Sequence, residues 1–252
     1  MSRCRCVPPS SRLCVFEFIK TAVNTDLAWL PALLQTSDAL FPTGAYAHSL
    51  GFEEFARLGG VRDEAGLREF AELHLLPALR VQELPYLRFA HEAADERVLC
   101  EIDREISAWK LARETREASI SIGRRRLAAL RTIHGAENGV LAAHADAIAR
   151  GEAHGHHLTV CAMQARVEGF PLSAALGAWF YQSVSGLCSA ALKIIRIGQD
   201  GCQRVLRTTL AQAEATVAAS LDVARDDAGI FDPLLEIASM RHEFANERLF
   251  IS

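Results

Sequence analysis

The side chains most able to carry chemistry in this sequence are histidines. His154, His156 and His157 lie within one short segment, and His144 lies one loop length upstream. Imidazoles at this density can hold a borderline divalent metal such as nickel or zinc. The segment also contains two glycines, which predicts a loop, and a solvated helix start explains the same pattern without any metal, because metal sites need a preorganised surrounding.

Motifs typical of enzymes are absent from the sequence. There is no Walker phosphate-binding loop, no Gly-x-Gly-x-x-Gly and no Gly-x-Ser-x-Gly nucleophile turn. His91-Glu92 begins like a zinc-protease helix, but Asp95 occupies the position that needs the second histidine. No glutamate has a histidine three residues later, which argues against a di-iron bundle. We therefore expect a protein that is not an enzyme.

The composition excludes several other classes. The chain has 252 residues, of which 50% are hydrophobic and 23% are charged, as in ordinary soluble globular proteins. A formal net charge of −4 gives no electrostatic support for binding nucleic acid or an anionic membrane. The seven cysteines include no Cys-x-x-Cys pair, which is consistent with reduced thiols in a cytoplasmic protein.

The elements that must position these residues are helices. From about residue 27 onward the hydrophobic periodicity is close to 3.6 residues, which predicts an all-α, single-domain bundle over residues 27–252. Asp63 and Asp232 have the sequence context of helix N-caps, the second with a proline directly after it. Pro77 and Pro85 are expected to kink or break the helix that begins at Asp63.

Two segments differ from this pattern. Residues 1–26 begin with arginines and prolines before the first acid, and we expect a disordered extension there; an organelle transit peptide or an early start codon would explain the same composition. Phe170 to Leu192 carries no charge and is long enough to span a bilayer. Its repeated serines and small residues instead predict a long buried helix at about 170–195.

Lys193 and the C-terminal segment stand out as candidate contact sites. Lys193 is the one charged residue between Glu168 and Arg196. A favourable cation at a helix C-terminus and a partner-facing cation explain it equally well. The C-terminal segment mixes charged residues with apolar ones, as expected where a partner covers a chain end. Its residues of interest are Met240, Arg241, His242, Glu243, Phe244, Arg248, Leu249, Phe250 and Ile251.

Four ordered stretches of the chain resemble the urease accessory protein UreF family. In this sequence they are residues 34–38 leading into 41–53, residues 112–119, residues 190–199, and the ending 239–243 with 248–252. They are similar to the family's LLQLSD…LPVGAFSHSxGLE opening, its second block, its SAAVRLxPLGQ block and its SMRHE…SRLFRS terminus. The ending departs from that pattern at Glu247 and Ile251, where the family often has serine and arginine.

The resemblance implies an all-helical cytoplasmic chaperone, without a cofactor, that helps insert nickel into apo-urease. It implies a homodimer that binds the accessory protein UreD (also called UreH), recruits the GTPase UreG, modulates its GTP turnover and docks on apo-urease. On this basis Lys193 is predicted to act at the UreG-facing side. The residues predicted to bind UreD are Arg241, His242, Glu243, Arg248 and Phe250. The alternative is a helical metal-binding protein that uses the four clustered histidines.

Overall fold

The computed structural model describes residues 27–38, 40–44, 49, 51–230, 232–245 and 248–250. The predicted extension, residues 1–26, lies outside the described residues. Within them helices are the only regular elements, and the predicted all-α fold is confirmed. The two predicted caps are also present: Asp63 accepts a hydrogen bond from the backbone N–H of Gly66 at 3.0 Å, and Asp232 accepts one from Leu235 at 3.1 Å.

Thirteen α-helices are found in the described part of the chain. They are α1 (Leu30–Ser37), α2 (Phe52–Arg57), α3 (Glu64–Phe70), α4 (Leu76–Ala78), α5 (Leu84–Glu92), α6 (Glu96–Trp109), α7 (Arg113–His134), α8 (Gly139–Ala149), α9 (His157–Val167), α10 (Leu172–Ile194), α11 (Gln199–Leu210), α12 (Ala213–Leu221) and α13 (Pro233–His242). A 3₁₀ turn, Arg225–Asp227, precedes α13.

The helix that begins after Asp63 does not end at either proline. Two π-helical segments join α3, α4 and α5 into one helical run, and each lies just before a proline, Pro77 or Pro85. In the first of them the N–H of Leu76 bonds to the carbonyl of Ala71, five residues back. Proline cannot donate the usual backbone hydrogen bond, and a wider turn accommodates that loss without ending the helix. We expected these prolines either to kink or to break the helix, and a break is therefore wrong.

The apolar side chains form two main cores that share α10. The larger core lies where α5, α6, α7, α9 and α10 pack together, and the smaller lies between α2, α3, α10 and α11. The smaller core also includes Phe250, from the far end of the chain. Burial of each large apolar side chain contributes about 1.5–3 kcal/mol, so the C-terminal segment is held to the bundle by packing as well as by polar contacts.

The long uncharged helix is present as α10, but it is not buried on every side. Phe180, Val184 and Ala191 are buried, whereas Tyr181 is 45% exposed and Leu192 is 42% exposed. The helix therefore lies against neighbours along one side and leaves apolar side chains at the surface on the other. Among the described helices, none combines the length and hydrophobicity that a bilayer-spanning segment requires.

Candidate functional site

The four family-like stretches meet at one place in the fold. α2 supplies Glu53, α7 supplies Glu114, and the last turn of α10 supplies Lys193. The C-terminal stretch supplies His242, which ends α13, and residues 248–250, which we call the tail segment. Because these residues lie far apart in the sequence, their convergence results from the tertiary fold.

His242 lies buried between two glutamates. Its Nδ1 is 2.8 Å from Glu114 Oε2, and its Nε2 is 3.1 Å from Glu53 Oε2. Carboxylate oxygens only accept hydrogen bonds, so both contacts are hydrogen bonds only when both ring nitrogens carry protons. The imidazole between these two carboxylates joins α13 to α2 and α7.

Glu53 also anchors the tail segment. Its Oε1 accepts the backbone N–H of Leu249 at 2.7 Å, and its Oε2 accepts that of Phe250 at 3.0 Å. The carboxylate is buried, and hydrogen bonds to a charged acceptor are about twice as strong as neutral ones. This one side chain therefore satisfies the backbone N–H groups of both Leu249 and Phe250.

The ring of Phe250 connects the tail segment to Lys193. Phe250 is only 6% exposed and packs in the smaller core. Lys193 Nζ lies 5.0 Å from the centre of the Phe250 ring, at the distance of a cation–π contact. The Lys193 side chain is otherwise exposed, so its charge can still reach a partner.

Charged pairs surround this core of the site. Arg248 Nη1 is 2.7 Å from Glu114 Oε1, Arg113 pairs with Glu243, and Arg241 Nε is 3.4 Å from a Glu54 oxygen. Arg241 is 57% exposed in this pair. The arginines of these pairs are 39–57% exposed, so their guanidinium groups can also reach another protein, whereas the acids behind them are only 1–25% exposed.

An exposed apolar face lies beside these charges. Leu234, Ile237, Met240 and Phe244 recur every three or four residues, which places them on one side of α13 and the turn that follows it. Phe244 is 80% exposed, and Leu249 in the tail segment is 68% exposed. We call Leu234, Ile237, Met240 and Phe244 the α13 outer face. Large apolar side chains grouped at a surface are typical of protein interaction sites.

Comparison with known proteins identifies the family. The UreF family profile matches residues 61–210. The urease accessory protein UreF of Paenarthrobacter aurescens is 38% identical over 88% of this chain and 97% of its own length. The UreF proteins of Arthrobacter sp. and Haemophilus influenzae are 35% and 33% identical and cover 88% and 91% of this chain, with 96% and 98% of their own lengths matched. The chain belongs to the UreF family.

Within this UreF chain, the predicted contact residues fall into two groups. Arg241, Glu243 and Arg248 hold charged groups at or near the surface, whereas His242 and Phe250 are buried. The apolar surface expected at the chain end is present, but Phe250 is not part of it. The sequence-based reasoning also assigned no role to Glu53 and Glu114, although both stand inside the family-like stretches. Each is an acid whose partners lie far away in the sequence.

The clustered histidines do not converge on a common point. His156 is fully buried, with Nε2 2.7 Å from Ser107 Oγ and Nδ1 3.0 Å from Ser119 Oγ. His157 packs against the ring of Trp179, with ring centres 4.9 Å apart. The ring centre of His154 is 6.0 Å from that of His156.

The loop that carries these histidines is fixed by a buried acid. Asp103 accepts hydrogen bonds from the backbone N–H groups of His154, of Gly155 at 3.0 Å and of His156 at 2.7 Å. Burial lowers the pKa of His156 to about 4, so its imidazole is neutral at pH 7. The segment is a loop that leads into the start of α9 at His157, as expected, but it is not solvated, because the acid and its donors organise it from inside the protein.

Proposed function

We propose that this protein is a cytoplasmic urease-maturation chaperone that assists nickel insertion into apo-urease. In this proposal it acts as a homodimer without catalytic activity of its own, binds UreD (UreH) and UreG, and modulates GTP turnover by UreG. Two facts support it: the chain belongs to the UreF family, and the family-like stretches assemble one surface around the tail segment. That assembly around Glu53 and His242 is the observation that carries the proposal.

The residues proposed to bind UreD divide by their exposure. Arg241, Arg248 and the α13 outer face are accessible and are proposed to contact the partner directly. Glu243 contributes from its pair with Arg113 at the edge of this surface. His242 and Phe250 are buried and are proposed to hold the tail segment in the shape that the partner binds.

The proposed UreG contact adjoins the proposed UreD contact. Lys193 lies directly over the ring of Phe250, so a protein bound at the tail segment is within reach of Lys193. Two neighbouring contacts, rather than two opposite faces, are consistent with a bridging role in which one partner influences the other.

The first test is co-expression of the protein with UreD, UreG and apo-urease. Deletion of residues 239–252 is expected to abolish co-purification with UreD. Phe244→Ser is expected to weaken UreD binding without lowering thermal stability, because Phe244 makes little contact within the chain. Phe250→Ala is expected to lower both UreD binding and thermal stability, because it empties part of the smaller core. Unaltered UreD binding after the deletion would reject the proposed site.

The second test addresses Lys193. Lys193→Ala is expected to preserve the helical content and UreD binding but to change GTP hydrolysis by UreG in the complex, or urease activation. Arg207→Ala removes another exposed cation, on α11, and serves as the matched control. Wild-type values for both activities in Lys193→Ala would exclude the UreG-facing role.

A further inference from the structure

A second cluster of reactive side chains lies away from the tail. Glu96 and Cys100 stand one helical turn apart on α6 and share one side of it. His144 reaches the same point from α8. Glu96 Oε1 is 3.3 Å from Cys100 Sγ and 2.7 Å from His144 Nδ1. Among the described residues this is the group in which three potential metal ligands come within 4.8 Å of one another.

His144 meets Glu96 through Nδ1, and its second ring nitrogen, Nε2, is unsatisfied within the described part of the chain. Its side chain is fully buried, and its Nε2 has no hydrogen-bond partner among the described residues. Buried polar atoms are almost always paired, because an unpaired one loses its hydration without compensation. Four of the described cysteines are free, and Cys100 is the one that lies beside such a histidine and a carboxylate.

The three ligand types together favour zinc. A thiolate, an imidazole and a carboxylate are the ligands that zinc takes in proteins, at about 2.0–2.3 Å each. In a tetrahedral site those bonds place ligand atoms roughly 3.3–3.8 Å apart. The observed separations already bracket this range, so small side-chain rotations suffice to form the site.

The cluster is open to solvent on one side. A cleft of about 390 Å³ is lined by Glu96, Cys100 and Glu152. Three arginines also line this cleft: Arg97 pairs with Glu101 and Arg150 with Glu152, each at 2.7 Å, and Arg104 is the third. The cleft therefore admits an ion and leaves space for a fourth ligand.

We propose that Glu96, Cys100 and His144 bind one zinc ion, with a water molecule as the fourth ligand. The ion joins α6 to α8 and is a structural addition to the fold. This inference stands independently of the proposed function. Zinc displaces the thiol proton of Cys100, so one proton is released on binding and the apparent affinity rises with pH.

The test uses the full-length protein titrated with Zn²⁺ and with Co²⁺ as a coloured substitute. Cys4→Ser/Cys6→Ser is the background, because two N-terminal thiols separated by one residue can also bind soft metals. We expect one equivalent of metal, a thiolate-to-cobalt absorption band and a higher melting temperature with zinc. Cys100→Ser is expected to remove the band, and Glu96→Gln to weaken zinc binding about tenfold or more. Cys161→Ser removes a thiol outside the cluster and is expected to change neither the cobalt absorption band nor the zinc affinity.

Several results would overturn the proposal. They are the absence of stoichiometric zinc binding, a cobalt band that persists in Cys100→Ser, and binding of Ni²⁺ without binding of Zn²⁺. Melting curves of the metal-free variants separate loss of the site from loss of the fold. If Cys100→Ser does not fold, Glu96→Gln decides, since that side chain is partly exposed; undiminished zinc affinity in it would refute the assignment.

Discussion

Replacement of Glu53 by glutamine tests how the tail segment is held. Glutamine has the same shape as glutamate, but it has one acceptor oxygen and one NH₂ donor in place of two acceptors. In the native site Oε1 accepts from Leu249, while Oε2 accepts from Phe250 and faces His242. An amide oxygen at the Oε2 position keeps two of these contacts in weaker, neutral form. The NH₂ group then faces the N–H of Leu249, donor against donor.

The expected effect follows from these contacts. A hydrogen bond to a charged group contributes about 1.5–3 kcal/mol, and a buried donor left unpaired costs a further amount of similar size. Loss of one such bond and weakening of two others should reduce the free energy of tail docking by about 3 kcal/mol. Since 1.4 kcal/mol is a factor of ten, the undocked fraction should rise roughly a hundredfold.

Hydrogen exchange measures this change directly. The backbone amides of Leu249 and Phe250 are expected to lose protection in Glu53→Gln, and carboxypeptidase should remove the chain end faster. Glu117→Gln on α7 is the control, because Glu117 is exposed and makes only a surface pair with Arg113. If the backbone amide of Phe250 exchanges in Glu53→Gln at a rate within a few-fold of the native rate, the anchoring role of Glu53 is refuted.

Three further predictions concern the buried histidine loop. Gly123→Ala should destabilise the fold by about 2–3 kcal/mol in urea unfolding, because the new Cβ would lie 2.2 Å from the carbonyl oxygen of Gly155. Gly177→Ala is the control: Gly177 has open space around it, so this change should be neutral or stabilising. Asp103→Asn should lower the free energy of unfolding by about 3 kcal/mol, because three backbone donors lose a charged acceptor; wild-type stability would contradict this. The pKa of His156 is about 4 in the folded state and about 6.5 in the unfolded state, so the unfolded state takes up a proton first as the pH falls. The free energy of unfolding should therefore fall by about 3 kcal/mol between pH 6.5 and pH 4. His156→Gln removes this titrating group and should flatten the pH profile.

Local features of this fold were predictable because local chemistry decides them. Asp63 and Asp232 cap their helices within three residues, so the sequence around each is sufficient. Pro77 and Pro85 also act locally, because each removes a backbone hydrogen bond. Whether the helix then ends depends on how its side chains pack against the rest of the bundle. Here the flanking residues stay helical because their apolar side chains are buried in the bundle, and the π turns accommodate the prolines.

One hydrophobic stripe of the sequence continues across a break between two helices. Leu206, Leu210, Ala213 and Val217 pack against the larger core, as their spacing indicates. The chain nevertheless turns at residues 211–212, between α11 and α12. No glycine or proline marks this turn, and a periodic pattern continues across it, so the sequence carries no local signal of the break.

The candidate site was predictable as a set of residues but not as an arrangement. The family-like stretches contain His242, Arg248, Phe250 and Lys193, and all four come together. Which of them are buried depends on Glu53 and Glu114, which stand 189 and 128 residues from His242. Contacts over such separations are set by the packing of α2, α7 and α13, and no helical periodicity reports them.

The anchoring of the tail segment by Glu53 affects the apparent affinity for a partner that binds this segment. A partner that binds the docked tail segment binds with its intrinsic affinity multiplied by the docked fraction. Glu53→Gln removes no contact with UreD, so it should weaken UreD binding only by the factor by which the docked fraction falls. Phe244→Ser should weaken binding while amide exchange at Phe250 stays native, because Phe244 lies outside the anchor. If both variants change affinity and exchange together, the tail segment and the α13 outer face are one cooperative unit, and the division between holding and contacting residues is wrong.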